Sequence, residues 1–358
     1  MVKLFNKNPL SVVGVMSGTS LDGLDICLAH FEKKSDSWAY TIEAANTVPY
    51  SAEVKIKLSD IEKLTAWEIS KLDYDYGHFI GKEVFSFLKQ INRHADVVAS
   101  HGHTAFHNPG MGYTFQIGKG AAIVAETGIP CISDFRAADI CRNGQGAPLV
   151  PIGDKLLFTS YDICLNLGGI ANISFDNVDN ERVACDVAPC NMLLNFLSLQ
   201  LGMEYDAYGN AGAKGMVNHD LLNRLNELEF YGLLGPKSLG REWFEQKVVP
   251  VFASCNASLQ DKLRTAYEHI AIQISKSTAE ISPGAMLVTG GGARNRFLVQ
   301  LITEKVKHRV VVPENMLVDF KEALIFAFLA ALFLNGTPSA LASSTGATAD
   351  SISGCLYL

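Results

Sequence analysis

Three glycine-rich turns carry the residue types that hold an anion. SGTSLDGLD, residues 17–25, reverses the chain between two apolar runs and gathers two glycines, three hydroxyls and two aspartates. A hairpin needs only about two turn residues, so the surplus points to a bound group. Glycine lets the backbone take positive φ and approach a ligand, and successive N–H groups then converge into an anion-binding nest. Gly18 and Gly23, with the hydroxyls of Thr19 and Ser20, suit phosphate in this turn, and Gly168 and Gly169 of LNLGG suit it in a second. Gly290, Gly291 and Gly292 follow the apolar AMLVT and open a helix, where N–H groups and the dipole favour a nucleotide. Beside phosphates, Asp22 and Asp25 make sense as holders of Mg²⁺, directly or through water. Each turn alone fits a glycine-tolerant bend with capping aspartates equally well. No G-x-x-x-x-G-K-[ST] loop occurs.

Other groups are open to two readings. Asp186, in CDVAPCN, is either an N-cap for a helix opening near Pro189 or a carboxylate for chemistry. His101, His103 and His107 cluster in SHGHTAFHNP, and the first two share a strand face. No cysteine or carboxylate cluster completes a tetrahedral zinc set nearby, so a polar lining is the preferred reading. The eight cysteines form no C-x-x-C pair and read as reduced core thiols of a cytoplasmic protein.

These residues need a scaffold. With 358 residues, nearly half of them apolar, the chain is long enough for two domains sharing a cleft. A net charge of -7 without a Lys/Arg run argues against nucleic acid and anionic membrane as partners. The opening residues lack a signal-peptide core, and the longest apolar run, ALIFAFLAALFL, is too short to span a bilayer. Strand patterns fall at 11–16, 24–32 and 38–48, then in DVVAS, YTFQIG and PCISDF. A second series begins at YDICLNLGG, returns through IANISFDNV and resumes at AMLVT. Helical periodicity marks 66–94, 189–201, 218–227, 255–280 and about 318–334. Each strand series opens with strand, glycine turn, strand. Two such hairpins facing a cleft, with a later strand-GGG-helix, are how actin-like ATPases and sugar kinases hold ATP.

Taken in order, VMSGTSLDGLD, SHGHTAFHNP, QIGKGAAIVAETGIPCISDFR, NGQGAPLVP, LNLGGIANIS, CDVAPCNMLLN, YDAYGNAGAKG, GPKSLGREWF and VTGGGARNRF resemble the anhydro-N-acetylmuramic acid kinase family. The resemblance runs from about residue 11 to the tail. It implies an α/β, actin-like (ribonuclease H-like) kinase of two domains with a central ATP cleft. On this reading residues 1–140 form the first domain, 141–335 the second, and the tail 336–358 packs back on the first. ATP and Mg²⁺ would act on 1,6-anhydro-N-acetylmuramic acid, a sugar of peptidoglycan turnover, and a homodimer is implied.

By the same resemblance Asp186 is the catalytic base. O6 of this sugar is tied to C1, so no free hydroxyl is available to attack phosphorus. A base that activates water toward C1 would release O6 as the phosphoryl group arrives. Arg136 would meet the anionic lactyl group, against the commoner fate of a surface ion pair. Glu322 would contact the sugar, against the reading of an acidic residue favoured at a helix start. His101 and Asn191 complete the sugar contacts. The chain departs from the family pattern D-T-G-P-G-N at Val187, Ala188 and Cys190, and has His103 and Lys119 where Gln and Asp are common. The competing readings are a kinase of another amino or anhydro-sugar and a non-catalytic ATP-binding protein of the same fold.

Overall fold

A computed structural model of the chain describes residues 7–18, 21–233 and 237–358. They fall into two compact units, one of residues 1–158 with 320–358 and one of residues 159–319. Both borders differ from those read in the sequence, 140/141 and 335/336. The chain returns to the first unit inside a continuous helix, Asn315–Leu334, where composition gives no linker signal.

The first unit holds β1 (Leu10–Ser17), β2 (Gly23–Lys33), β3 (Trp38–Pro49), β4 (Val97–Ser100), a separate hairpin of β5 (His103–Asn108) and β6 (Tyr113–Ile117), and β7 (Cys131–Ser133). The second holds β8 (Ile163–Leu167), β9 (Ile170–Asp176), β10 (Arg182–Pro189), β11 (Ala285–Thr289) and β12 (Arg309–Val311). β13 (Cys355–Tyr357) returns to the first and pairs antiparallel with β7.

The two sheets are wired alike. In the first, β3, β2 and β1 form an antiparallel meander and β4 and β7 continue it in parallel. In the second, β10, β9 and β8 form the meander and β11 and β12 continue it. The order 3-2-1-4-5 with an antiparallel second strand is the ribonuclease H-like arrangement on which actin-like ATPases and sugar kinases are built. The weak echo between the two glycine hairpins is therefore a duplicated wiring. β5, β10, β12 and β13 are absent from the sequence reading: β12 and β13 have only three residues each, and β10 buries Arg182 while leaving Val183 and Cys185 half-exposed.

Local signals explain the main supports. Thr65 and Glu68 form a capping box at the start of the helix Ala66–Ile91, and Asn92 ends it in the left-handed region. Its buried positions, among them Tyr76, Ile80, Val84 and Phe87, recur at helical spacing and pack on the first sheet. The helix Leu259–Ser277 does the same for the second unit through Leu263, Ala266, Tyr267, Ile270 and Ile274. No helix among the described residues is long and apolar enough to cross a membrane.

The helix Asn315–Leu334 is buried almost throughout from Ala323 to Leu332. It lies so close to β1 that a Cβ on Gly14 would sit 1.9 Å from the Ala323 carbonyl oxygen. Gly14→Ala should therefore cost about 1–3 kcal/mol by overpacking. A thermal melt would show the loss, and an unchanged melting temperature would contradict this close approach.

Candidate active site

In the second unit the β8–β9 turn and the triple glycine meet at one helix start. The first N–H groups of a helix lack intrahelical partners. At the helix Asn191–Gln200 those of Cys190 and Met192 donate to the Gly169 carbonyl at 2.8 and 3.1 Å, and that of Asn191 donates to Gly168 at 3.1 Å. The Asn191 side chain adds a bond from Nδ2 to the Leu167 carbonyl, 3.0 Å. The β8–β9 turn is thus held by its carbonyls on a helix start. Neither Gly168 nor Gly169 uses the left-handed region, and a Cβ on Gly169 would meet nothing within 4 Å. Open space beside the backbone, rather than positive φ, distinguishes this turn.

The triple glycine is not uniform. Gly290 has φ 81°, and a Cβ there would lie 2.4 Å from Asn166 Oδ1. A Cβ on Gly292 would lie 2.7 Å from Leu167 Cβ. Both are glycine because β8 leaves no room. Gly291 is exposed, with only Asn191 Nδ2 at 3.8 Å from its notional Cβ. The α-helix also begins later than the sequence suggests. A short 3-10 turn, Gly291–Arg294, comes first, and the helix Arg296–Lys305 is capped by Asn295, whose Oδ1 accepts from Leu298 N at 3.1 Å. Asn295 Nδ2 also donates to Tyr267 Oη, which in turn donates to Asp206. Asp206 accepts from the N–H groups of Ala211 and Gly212, and so folds YDAYGNAGAKG against the same helix start.

Asp186 lies on β10, opposite Asn172, just before a bulge that shifts the register by Ala188. It is not the cap of the following helix. The cap residue is Cys190, which makes no side-chain cap bond. The Asp186 carboxylate is half-buried and accepts from Leu239 N through Oδ2 at 2.8 Å. Burial raises its pKa above the ordinary aspartate value, and the Leu239 N–H pulls in the opposite direction.

In the first unit the β1–β2 turn contains Thr19 and Ser20, which lie outside the described residues. The half-buried Gly18 accepts from Leu21 N at 3.3 Å through its carbonyl, and Leu21 takes φ 57°. Gly23 belongs to β2, and a Cβ there would lie 2.7 Å from the Val48 carbonyl oxygen. Strand packing accounts for this glycine. Asp22 is exposed, and Asp25, two residues into β2 past Gly23, accepts from Thr47 Oγ1 at 2.6 Å.

A second polar cluster joins residues far apart in sequence. Arg136 donates through Nε to His101 Nε2 at 3.0 Å, and through Nη1 to the Gly146 carbonyl at 2.7 Å. Because arginine can only donate, His101 Nε2 accepts, and Nδ1–H donates to the Gly102 carbonyl at 2.8 Å. Burial and the neighbouring guanidinium hold the His101 pKa well below its ordinary value, so the ring is neutral. Both ring nitrogens are engaged, which removes His101 from any metal set. His103 instead meets Ser17 at 3.0 Å, in a buried chain that continues to Tyr50 and Tyr76, and burial lowers it to about 4. Burial likewise lowers Arg136 to about 10, while Glu322 opposes that shift.

Glu322 is the exposed residue beside the buried run Ala323–Leu332 of its helix. It stands in the third turn of Asn315–Leu334, so a role at the helix start does not apply. Although its surface is open to solvent, crowding by surrounding protein atoms desolvates the carboxylate and raises its pKa, as does Asp25, while Lys321 and Arg136 lower it. Two supports escaped the sequence reading. Asp139, wholly buried, accepts from Gly146 N at 2.7 Å and Thr345 Oγ1 at 2.7 Å, which fixes the NGQGAPLVP loop that holds Arg136. Lys321 and Asp154 form a buried ion pair at 2.7 Å. Partners this distant in sequence leave no local pattern.

The glycines of the triple motif should separate by experiment. Gly290→Ala and Gly292→Ala should each destabilise the protein by about 1–3 kcal/mol, while Gly291→Ala should stay within about 0.5 kcal/mol of the parent. Gly291→Val should weaken ATP binding without lowering the melting temperature. Equal melting temperatures across the three alanine variants would contradict the packing described.

A family model described as anhydro-N-acetylmuramic acid kinase matches residues 10–358. The anhydro-N-acetylmuramic acid kinase of Vibrio vulnificus strain CMCP6 is 33% identical over 364 residues, covering 96% of this chain and 97% of that one. The kinase of the same name from Zymomonas mobilis is 32% identical, covering 93% and 96%. Among solved structures, component A of (R)-2-hydroxyglutaryl-CoA dehydratase from Acidaminococcus fermentans aligns with a TM-score of 0.47 at 11% identity, covering 89% and 96%. With its motifs spread over both units and the family model matched from Leu10 to the last residue, the chain belongs to the anhydro-N-acetylmuramic acid kinase family.

Proposed function

We propose that the protein opens 1,6-anhydro-N-acetylmuramic acid with water and transfers the γ-phosphoryl group of ATP to O6, giving N-acetylmuramic acid 6-phosphate for peptidoglycan recycling in the cytoplasm. Asp186 carries this reading: its carboxylate is oriented by a single main-chain bond, raised in pKa by burial and relieved of any capping duty. A base of raised pKa takes a proton from water more readily than an ordinary aspartate. The water oxygen forms a bond to C1 as C1–O6 breaks. O6 then bonds to the γ-phosphorus as the bond to the departing ADP oxygen breaks. The water proton ends on Asp186 and leaves to solvent. The arriving phosphoryl group stands where an inverting glycosidase uses a general acid.

Arg136 supports recognition of the lactyl carboxylate. Its fork is aimed by His101 and Gly146, and a neutral His101 adds no competing charge. Glu322 and Asn191 are assigned to the sugar, although Asn191 Nδ2 is already committed to Leu167, which supports a positioning role as well. Gly18, Thr19, Ser20, Gly168 and Gly169 are assigned to the phosphates and Gly291 to the nucleoside, while Gly23, Gly290 and Gly292 hold those turns in place by close packing. Mg²⁺ suits the hard carboxylate oxygens of Asp22 and Asp25, and when bound it would offset charge on the phosphates. The eight free thiols support a reducing compartment, and the family resemblance supports a homodimer.

Asp186→Asn should retain ATP and sugar binding yet lose about 10²–10⁴ in turnover, and label from ¹⁸O water should appear at C1 in the parent reaction. Label in inorganic phosphate, or near-normal turnover of the variant, contradicts the scheme. Since the base must be ionised, kcat should fall as pH drops through a value above the ordinary aspartate range. Arg136→Met should raise KM for the sugar by roughly 10–100-fold, the loss of a charge-assisted bond, and leave KM for ATP unchanged.

A further inference from the structure

The segment from Lys237 to Leu239 lies along β10 where Asp186 sits, and β10 is the edge strand of its sheet. An edge strand presents main-chain groups without a ladder partner. Here the Asp186 N–H donates to the Lys237 carbonyl at 2.9 Å, and the Leu239 N–H donates to Asp186 Oδ2 at 2.8 Å. The segment therefore grips Asp186 through its backbone and its side chain together. Among the described residues, this bond at Oδ2 is the carboxylate's one recorded hydrogen bond.

What holds the segment is the Lys237 side chain. Its Nζ donates to the carbonyls of Phe230 at 3.0 Å and Leu233 at 3.2 Å, and stands 4.5 Å from the centre of the Phe230 ring. Phe230 belongs to the short turn Glu229–Gly232 and is itself buried. A half-buried ammonium usually finds a carboxylate. This one is spent on two carbonyls and an aromatic face, and no carboxylate is recorded as its ion-pair partner among the described residues. That arrangement suits a tether better than a binding group.

We propose that Lys237 is a positioning residue for the reaction: its ammonium ties residues 237–239 to the Glu229–Gly232 turn, and the two main-chain bonds of this clamp set the direction in which Asp186 Oδ1 meets water. The inference rests on Asp186 as the base and adds what aims it. A carboxylate held by one strong bond at Oδ2 keeps Oδ1 in a fixed direction, and small misplacements of a reacting group cost rate steeply. The same bond stabilises the ionised form, so its loss raises the Asp186 pKa and moves the acid limb of kcat to higher pH. The titratable neighbours of Asp186 are Cys185 on its own strand, pushed up to about 11 by burial and so neutral near pH 7, and Lys237 on the clamp. Across the sheet it pairs with the uncharged Asn172.

Two variants test this in the full-length enzyme. Lys237→Met removes the tether but keeps a flexible side chain on Phe230. Leu239→Pro removes the donor and keeps the charge at 237. Each is expected to lower kcat roughly 10–100-fold, to hold KM for ATP within about twofold, and to move the acid limb upward. A shift in Lys237→Met alone, with folded Leu239→Pro unchanged, marks a charge effect and overturns the clamp. Unchanged kcat and acid limb in folded Lys237→Met overturn it as well, and this gentler variant decides the matter if Leu239→Pro does not fold. A fully active Asp186→Asn instead removes the base assignment beneath the proposal.

Discussion

The N–H groups at the start of the helix Asn191–Gln200 need acceptors, and much of the second unit follows from where they find them. Buried donors without partners cost roughly 1–3 kcal/mol each, so the helix start must be covered. The chain covers it with the carbonyls of Gly168 and Gly169. This fixes the β8–β9 turn against the helix and fixes β10, which feeds the helix, beside the same turn. The N–H side of the glycine turn is then free of that duty, although the helix start itself is not a vacant anion site. An anion-binding nest at this place therefore belongs to the turn and not to the helix start.

The same steric logic sorts the glycines. Gly14, Gly23, Gly290 and Gly292 are places where a Cβ would strike a neighbouring strand or helix, while Gly169 and Gly291 face space. Packing glycines keep the frame tight around the turns. Open glycines leave backbone reachable by a ligand. A glycine-rich motif is thus a mixture, and only its open members speak for binding.

Much of this frame was legible in the sequence. Apolar patterning placed β1 to β3, the helix Ala66–Ile91 and β11 close to where they stand, because β1, β2 and β11 are buried on both faces and read as apolar runs and the helix buries one periodic face. β10 was missed because it turns Arg182 inward and leaves Val183 and Cys185 half-exposed, and its edge is closed by Lys237–Leu239 rather than by a regular strand. The unit borders were missed because one lies inside a helix. For Glu322 only the helix start was misplaced, since the helix begins at Asn315. Its carboxylate, directly before an all-buried apolar run and in the third turn rather than the first, is no helix-start charge. Asp139 and His101 illustrate the opposite case. Their roles come from partners at Thr345 and Arg136, contacts that local pattern cannot encode.

The departures from the family pattern can be weighed on the same physical terms. Where the pattern has glycine, Cys190 takes φ -112°, a value open to any residue, so its side chain adds no left-handed strain. Its thiol is buried with the core around Leu193 and Leu194, and its N–H still reaches Gly169. Val187 and Ala188 are buried as well; Val187 is the extra residue of the bulge that follows Asp186, and Ala188 resumes the pairing. A bulge needs an extra residue, not a particular one. The replacements therefore stiffen the path from Asp186 to the helix start and fill the core behind it. They leave untouched the two main-chain bonds that direct the carboxylate, because both come from residues 237 and 239. The direction of Asp186 is thus tied to a segment some fifty residues away in sequence, which is why the replacements at 187, 188 and 190 leave those bonds in place.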